Sequence, residues 1–465
     1  MTERDELIYV LLRLLSGKKH KKRGILRTNA EHDNVPCLTV ESPADLLQRR
    51  VIGLREGKIY DCRFRITSHH FRLGYDCSMS MKHRRFGGLD WKVSVLGFGA
   101  MRLPVIGEDQ GSIDDEKATA MMQHAFDQGV NYVDTGYLYH DGKSEVFVGK
   151  VLNEGYRDKV KVATKMPTWK LNERSDLDQI FTDQLAKLQT DYIDFYLFHD
   201  LREERWAKIR ELKALEWAED MMRADRIKHL GFSFHDSFDV FRRIVDGYDK
   251  WDFCQIQYNY VDRDYQAGTR GLRYAASKGL AVVVMEPLQG GNLAITPSPD
   301  IQTLWSEAKS QRSPAEWALQ WVWNHPEVSV VLSGMSAMDH VVENIRIASQ
   351  SGPGTLTEDD LNLIARVREK YLKQGFIGCT RCGYCQPCPQ GVDIPENLAF
   401  YNSYYTRRGD DEAQKKVKTQ YSETMPSDGR ADRCIQCGEC EEKCPQHLPI
   451  PRLLKTTARS LLDHQ

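Results

Sequence analysis

The chain has 465 residues, with 64 Lys and Arg against 66 Asp and Glu and a formal net charge of -2. That balance excludes the basic footprint of a nucleic-acid partner, and no apolar run approaches the roughly 18 residues a membrane helix needs. The length calls for two or more domains, one of which can be an α/β barrel of about 250 residues.

Residues 1-80 are rich in Arg, Lys and His, lack a sustained hydrophobic period, and carry Cys37, Cys62 and Cys77 without ligand spacing. The apolar run from Leu7 to Leu15 is interrupted by Arg13 and followed, not preceded, by its basic cluster, the reverse of a secretory signal. This stretch is read as an unassigned extension, disordered or produced by the choice of start codon, with Met81 as an alternative start.

From Met81 the pattern changes. Short β-rich runs alternate with amphipathic helical stretches: Ser94 to Met101, Val130 to Gly136, Val160 to Met166, Tyr192 to His199, Ile227 to Phe234, Phe253 to Asn259, Ala281 to Pro287 and Ser329 to Met335. Between them, Lys117 to Gln128, Leu177 to Leu188 and Ala315 to Trp323 carry apolar residues three and four apart. Eight such units predict an α/β fold, a (β/α)8 TIM barrel over residues 81-350. The alternative, an open doubly wound sheet, lacks a G-x-G-x-x-G after its first strand.

Chemistry in such a barrel sits at the C-terminal ends of the strands. Here Asp134 closes the second run, Lys165 the third and His199 the fourth, while Tyr139 follows Asp134 by five residues. Each has an ordinary structural explanation alone, as an ion pair, a satisfied histidine or rim packing. Three ionisable residues on consecutive strands with a tyrosine beside them read instead as a catalytic set.

Beyond Ser351-Gly-Pro-Gly the chain changes again. Thr357 with Asp359 and Asp360 opens a helix running to about Lys373. Then come eight of the 12 cysteines in two runs: Cys379, Cys382, Cys385 and Cys388 before Pro389, and Cys434, Cys437, Cys440 and Cys444 before Pro445. The second run fits C-x2-C-x2-C-x3-C-P, whose fourth cysteine ligates the other cluster; the first has two residues before its last cysteine. One zinc would leave four thiols without a role, and disulfides need an oxidising compartment that nothing here indicates. The prediction is a small, mainly helical domain over 351-465 holding two 4Fe-4S clusters, in a cytoplasmic protein. Helical stretches at Glu396 and Asp411 separate the runs. A C-x3-C-x2-C run is absent, which disfavours radical chemistry.

Three strand motifs resemble the aldo-keto reductase superfamily: Asp134-Thr-Gly-Tyr-Leu-Tyr139 followed by Ser144-Glu145 and Gly149, Ala163-Thr164-Lys165, and Leu197-Phe198-His199. With the cysteine runs, the chain resembles the branch with a C-terminal iron-sulfur domain. The resemblance implies NAD(P)-linked interconversion of a small carbonyl and its alcohol. Tyr139 would be general acid or base, Lys165 would lower its pKa, Asp134 would hold the lysine, and His199 would orient the substrate. It also assigns Ser233 and Gln255 to the nicotinamide carboxamide, and Ser333, Gly334, Ser336, Glu343 and Asn344 to the phosphate and adenosine. Phe234 and Met285 depart from the family pattern, and the basic residues that commonly grip the 2'-phosphate of NADP align with Gly334 and His340, which lack that fixed charge, so NADPH and NADH are both open.

A nicotinamide moves a hydride whereas a cluster moves one electron, so a flavin or a protein electron carrier is expected between them. The alternative reading is an electron-transfer or binding module in which the barrel does not turn over.

Overall fold

The computed structural model describes residues 51–55, 58–67, 70–74, 80–107, 109–373, 375–408 and 410–462. Residues 80–465 form one compact unit. In the preceding unit, β1 (Val51–Arg55), β2 (Lys58–Thr67) and β3 (His70–Gly74) form an antiparallel meander, regular structure that the composition of this stretch did not reveal. Cys37 and Cys77 lie outside the described residues.

The hairpin of β4 (His83–Arg85) and β5 (Lys92–Ser94) precedes the barrel. Eight parallel strands then close on themselves in chain order: β6 (Leu96–Gly99), β7 (Tyr132–Asp134), β8 (Lys161–Met166), β9 (Ile193–Leu201), β10 (Ile227–Phe234), β11 (Phe253–Gln257), β12 (Ala281–Met285) and β13 (Val328–Ser333). Every expected run overlaps one of them. β9 extends two residues beyond His199, so this histidine lies inside the last turn of pleat and not at its end.

The hairpin explains which end of the barrel is free. Phe86, between its strands, is fully buried at the N-terminal ends of the barrel strands against Tyr132, Phe195 and Phe253. Arg84 donates to the carbonyls of His325 and Val328, tying the plug to the last unit. With one end packed by aromatic rings, only the C-terminal end remains for ligands.

The outer helices follow the amphipathic stretches: α1 (Asp115–Asp127), α2 (Ser144–Asn153) and α3 (Ser175–Leu188) bury Met121, Met122 and Phe126, Phe147 and Val151, and Phe181 and Leu185. Gly149 lets α2 meet α3, since a Cβ there would stand 2.6 Å from the backbone of Leu188. Alanine improves helix propensity by about 1 kcal/mol, but a backbone neighbour cannot give way, and overpacking costs about 1–3 kcal/mol. Gly149→Ala should therefore lower the thermal midpoint by a few degrees; an unchanged or raised midpoint by circular dichroism would show that the two helices slide apart freely.

After the helix Met338–Ser349, the helix Glu358–Lys373 starts as its sequence indicated: Thr357 Oγ1 accepts from Asp360 N and Asp360 Oδ2 accepts from Thr357 N. It packs on the barrel helix Pro299–Ser306, with ion pairs Arg366–Glu307 and Lys370–Asp300. The cysteine region follows, built on helices Ile394–Tyr405, Asp411–Thr424 and Ile450–Leu461 around Val392, Ile394, Leu398, Ile450 and Leu454. Among the described residues no helix is long and apolar enough to cross a membrane.

Candidate active site

Four groups, three on strands and Tyr139 in the loop after β7, converge at the C-terminal end of the barrel. Lys165 Nζ donates to Asp134 Oδ1 and to the Thr135 carbonyl, each at 2.6 Å. It also stands 4.8 Å from the centre of the Tyr139 ring. The Tyr139 and His199 rings are 6.1 Å apart and nearly perpendicular. A tight turn, closed by Tyr139 N to the Gly136 carbonyl, folds Tyr139 back over Gly136, whose missing side chain makes the room. Tyr137, two residues earlier, turns the other way, onto Lys187 and Lys170.

Burial controls the electrostatics. Asp134, Tyr139, Lys165 and His199 are all buried. Burial pushes the Lys165 ammonium down, opposed by Asp134, and pushes the Tyr139 phenol well above its ordinary range. Lys165 was expected to lower that phenol. Its charge is spent on Asp134 and Thr135, and desolvation, followed by the Asp134 and Glu286 carboxylates, prevails. Burial likewise drives His199 well below 6.5, leaving a neutral imidazole.

Ser144 and Glu145 form the scaffold behind these groups. Ser144 Oγ lies 2.8 Å from Thr135 Oγ1 and donates to the Ala100 carbonyl. Glu145 accepts from Thr164 Oγ1 and Gln184 Nε2 at 2.6 and 2.7 Å, fixing β8 from its outer side.

The expected nucleotide residues are only partly gathered. Ser233 Oγ accepts from the Asp200 N–H at 2.8 Å, so what it offers a ligand is its own proton. Gln255 is buried, with its Nε2 against Met285 Sδ and its Oε1 without a partner. Asn344 donates to Ser333 Oγ at 2.9 Å. Gly334 and Ser336 are exposed beside them, but Glu343 turns away to bind Ser313 at a helix N-terminus. An unpartnered buried amide oxygen beside a serine hydroxyl fits a carboxamide; Glu343 does not belong to that set.

The cysteines gather into two groups that interleave the runs. Cys379, Cys382, Cys385 and Cys444 line one cavity with Leu398 and Ile450. Cys388, Cys434, Cys437 and Cys440, with Cys385 at the edge, line a second with Ile435 and Leu454. All eight thiols are free. Burial raises Cys382 to about 12 and Cys440 to about 11, so thiolates there need a cationic partner, which fits iron.

This cysteine region sits on the barrel mouth. Arg102 donates to the Thr380 carbonyl, Asn292 to that of Cys379 at 3.0 Å, Gln266 to that of Pro445 at 2.9 Å and Tyr265 to that of Gln446 at 2.8 Å. Gly290, at φ +68, touches Thr380, whose carbonyl oxygen would lie 2.4 Å from any Cβ there. Tyr384, between Cys382 and Cys385, reaches down so that its Oη is 3.2 Å from His199 Nε2. Trp169 flanks His199 at 5.0 Å between ring centres. Two further ionic groups stand at strand ends, the half-buried Glu286 and the buried Asp200, the latter paired with Arg202 and Arg205, and both hold a positive φ of 55°. Sequence reasoning missed Tyr384, Trp169, Arg102, Glu286 and Asp200.

Residues 95–369 match the aldo/keto reductase family model. The chain belongs to the aldo/keto reductase family. Residues 378–448 match the 4Fe-4S dicluster domain. Curated relatives include L-galactose dehydrogenase of Arabidopsis thaliana, 25% identical over 62% of this chain and 94% of that protein, and protein tas of Escherichia coli, 25% identical over 63% and 99%. Among solved structures, an aldo-keto reductase of Bacillus halodurans in its holo form superposes with a TM-score of 0.51 at 28% identity, covering 62% of this chain and 96% of that one. The family match includes the helix Glu358–Lys373 almost to its end, in keeping with its packing on the barrel.

Proposed function

We propose that this aldo/keto reductase family member interconverts a small carbonyl and its alcohol with NADH or NADPH, and that its iron-sulfur domain exchanges electrons with a protein carrier. The observation that carries the reading is the buried Asp134–Lys165–Tyr139–His199 arrangement at the only barrel end that Phe86 leaves free. Tyr139 is the proton donor in reduction and acceptor in oxidation. Lys165, fixed by Asp134, keeps a positive charge under the phenol ring. Neutral His199 hydrogen bonds to the substrate oxygen through Nε2. Ser233 and Gln255 hold a carboxamide, and Ser333, Gly334, Ser336 and Asn344 hold the rest of the nucleotide. When bound, a nicotinamide would supply the hydride and two 4Fe-4S clusters held by the eight cysteines would supply single electrons, with a flavin as intermediary.

The division into residues 1-80, 81-350 and 351-465 is part of this proposal, the helix Glu358–Lys373 being the part of the last domain that packs on the barrel. Anaerobic titration of the iron-loaded protein with NADH and then NADPH, followed by visible absorption, tests the pathway. Tyr384, between two cluster cysteines, reaches His199 in the barrel site, so with a flavin added as the two-to-one-electron intermediary one nucleotide should bleach the cluster absorption. Failure of both to do so separates the clusters from the barrel chemistry.

A further inference from the structure

The position that a substrate oxygen would take is filled from within the chain. Tyr384 Oη sits 3.2 Å from His199 Nε2, and the hydroxyls of Tyr384 and Tyr139 interact as well. The Tyr384 ring lies 6.2 Å from the rings of both His199 and Trp169. The loop that carries it is pinned on both sides of the mouth, at Thr380 by Arg102 and at Cys379 by Asn292. One hydroxyl thus meets the two groups that, on the reading above, bind the carbonyl oxygen. Two oxygens cannot share that place.

We propose that Tyr384 is an internal occupant of the carbonyl-oxygen position, and that an aromatic aldehyde or ketone binds by displacing it. The proposal rests on the reading of Tyr139 and His199 as the carbonyl site. The slot that the phenol vacates is bounded by Trp169 and His199 and has the outline of a flat ring bearing an oxygen. That shape selects the aromatic carbonyl class. The iron-sulfur loop, through the residue between two of its cysteines, thereby sets the affinity of the barrel for substrate.

The test uses 4-nitrobenzaldehyde with the full-length, iron-loaded protein. Its dissociation constant is measured by equilibrium dialysis without nucleotide, and its reduction with NADH and with NADPH. Tyr384→Phe keeps the ring and loses the hydrogen bond to His199. One neutral hydrogen bond corresponds to about a three- to tenfold change, so Kd and KM should both fall by that factor while kcat does not fall. Arg102→Met keeps an aliphatic side chain beside Gly334, frees Thr380 and should tighten binding in the same direction, providing a second reading should Tyr384→Phe not load iron. Unchanged Kd in both variants, no binding in any form, or a large loss of kcat at constant Kd in Tyr384→Phe each overturns the proposal. The last outcome would make Tyr384 a proton donor. Tightened binding without turnover by either nucleotide keeps the occupant and removes the reductase reading.

Discussion

Tyr139→Phe should lower kcat/KM for carbonyl reduction about a thousandfold, the range set by loss of a positioned general acid. The substitution removes one oxygen and leaves the ring against Gly136 and Lys165, so iron content and melting temperature should stay close to those of the unaltered protein. Lys165→Met is a poorer probe: it leaves Asp134 buried without its cation, and breaking a buried pair costs about 3–5 kcal/mol in folding. Tyr137→Phe is the matched control, because that ring faces Lys187 and not Lys165. Retention of activity by Tyr139→Phe would falsify the assignment of the proton donor.

The pH dependence of the same reaction follows in sign. A donor must be protonated, and burial holds the Tyr139 phenol well above its ordinary range. Reduction should therefore not decline through neutral and mildly alkaline pH because of Tyr139, whereas oxidation, which needs the phenolate, should speed up as pH rises. His199, driven well below 6.5, stays neutral across that window and contributes no inflection there.

The barrel was legible in the sequence because its strands are short apolar runs buried on both faces, and chain order equals spatial order in a barrel. Asp134, Lys165 and His199 were legible for the same reason, as polar residues at or near the ends of apolar strands. What stayed hidden depends on the third dimension. The Tyr384–His199 contact spans 185 residues and joins the iron-sulfur region to the barrel. Nothing in a cysteine spacing says what the residue between the cysteines will touch. The sequence showed a lysine near Tyr139 but not the burial that pushes the phenol up. The separation of Glu343 from Asn344 was hidden too, because adjacent residues on a helix face different ways: Asn344 points to Ser333 and Glu343 to Ser313.

The pairing of the cysteines yields the second large effect, a loss of half the iron or nearly all of it depending on which two thiols are removed. Cys444 stands with Cys379, Cys382 and Cys385, and Cys388 stands with Cys434, Cys437 and Cys440. A cluster deprived of two ligands is not retained. Cys382→Ala/Cys444→Ala removes two ligands from one group and should leave half of the iron; Cys437→Ala/Cys444→Ala takes one from each and should endanger both clusters. If each run served its own cluster, the ranking would invert, and Cys437→Ala/Cys444→Ala would be the variant that keeps half. Iron analysis of the two double variants decides between them. The interleaved arrangement also has a consequence for the barrel. Since Cys444 completes the group that contains Cys382 and Cys385, its loss should loosen the loop bearing Tyr384, although Cys444 lies 60 positions further along the chain. Thus Cys382→Ala/Cys444→Ala should tighten binding of 4-nitrobenzaldehyde, as Tyr384→Phe does. Removal of ligands from the other group, in Cys388→Ala/Cys437→Ala, should leave that affinity where it was.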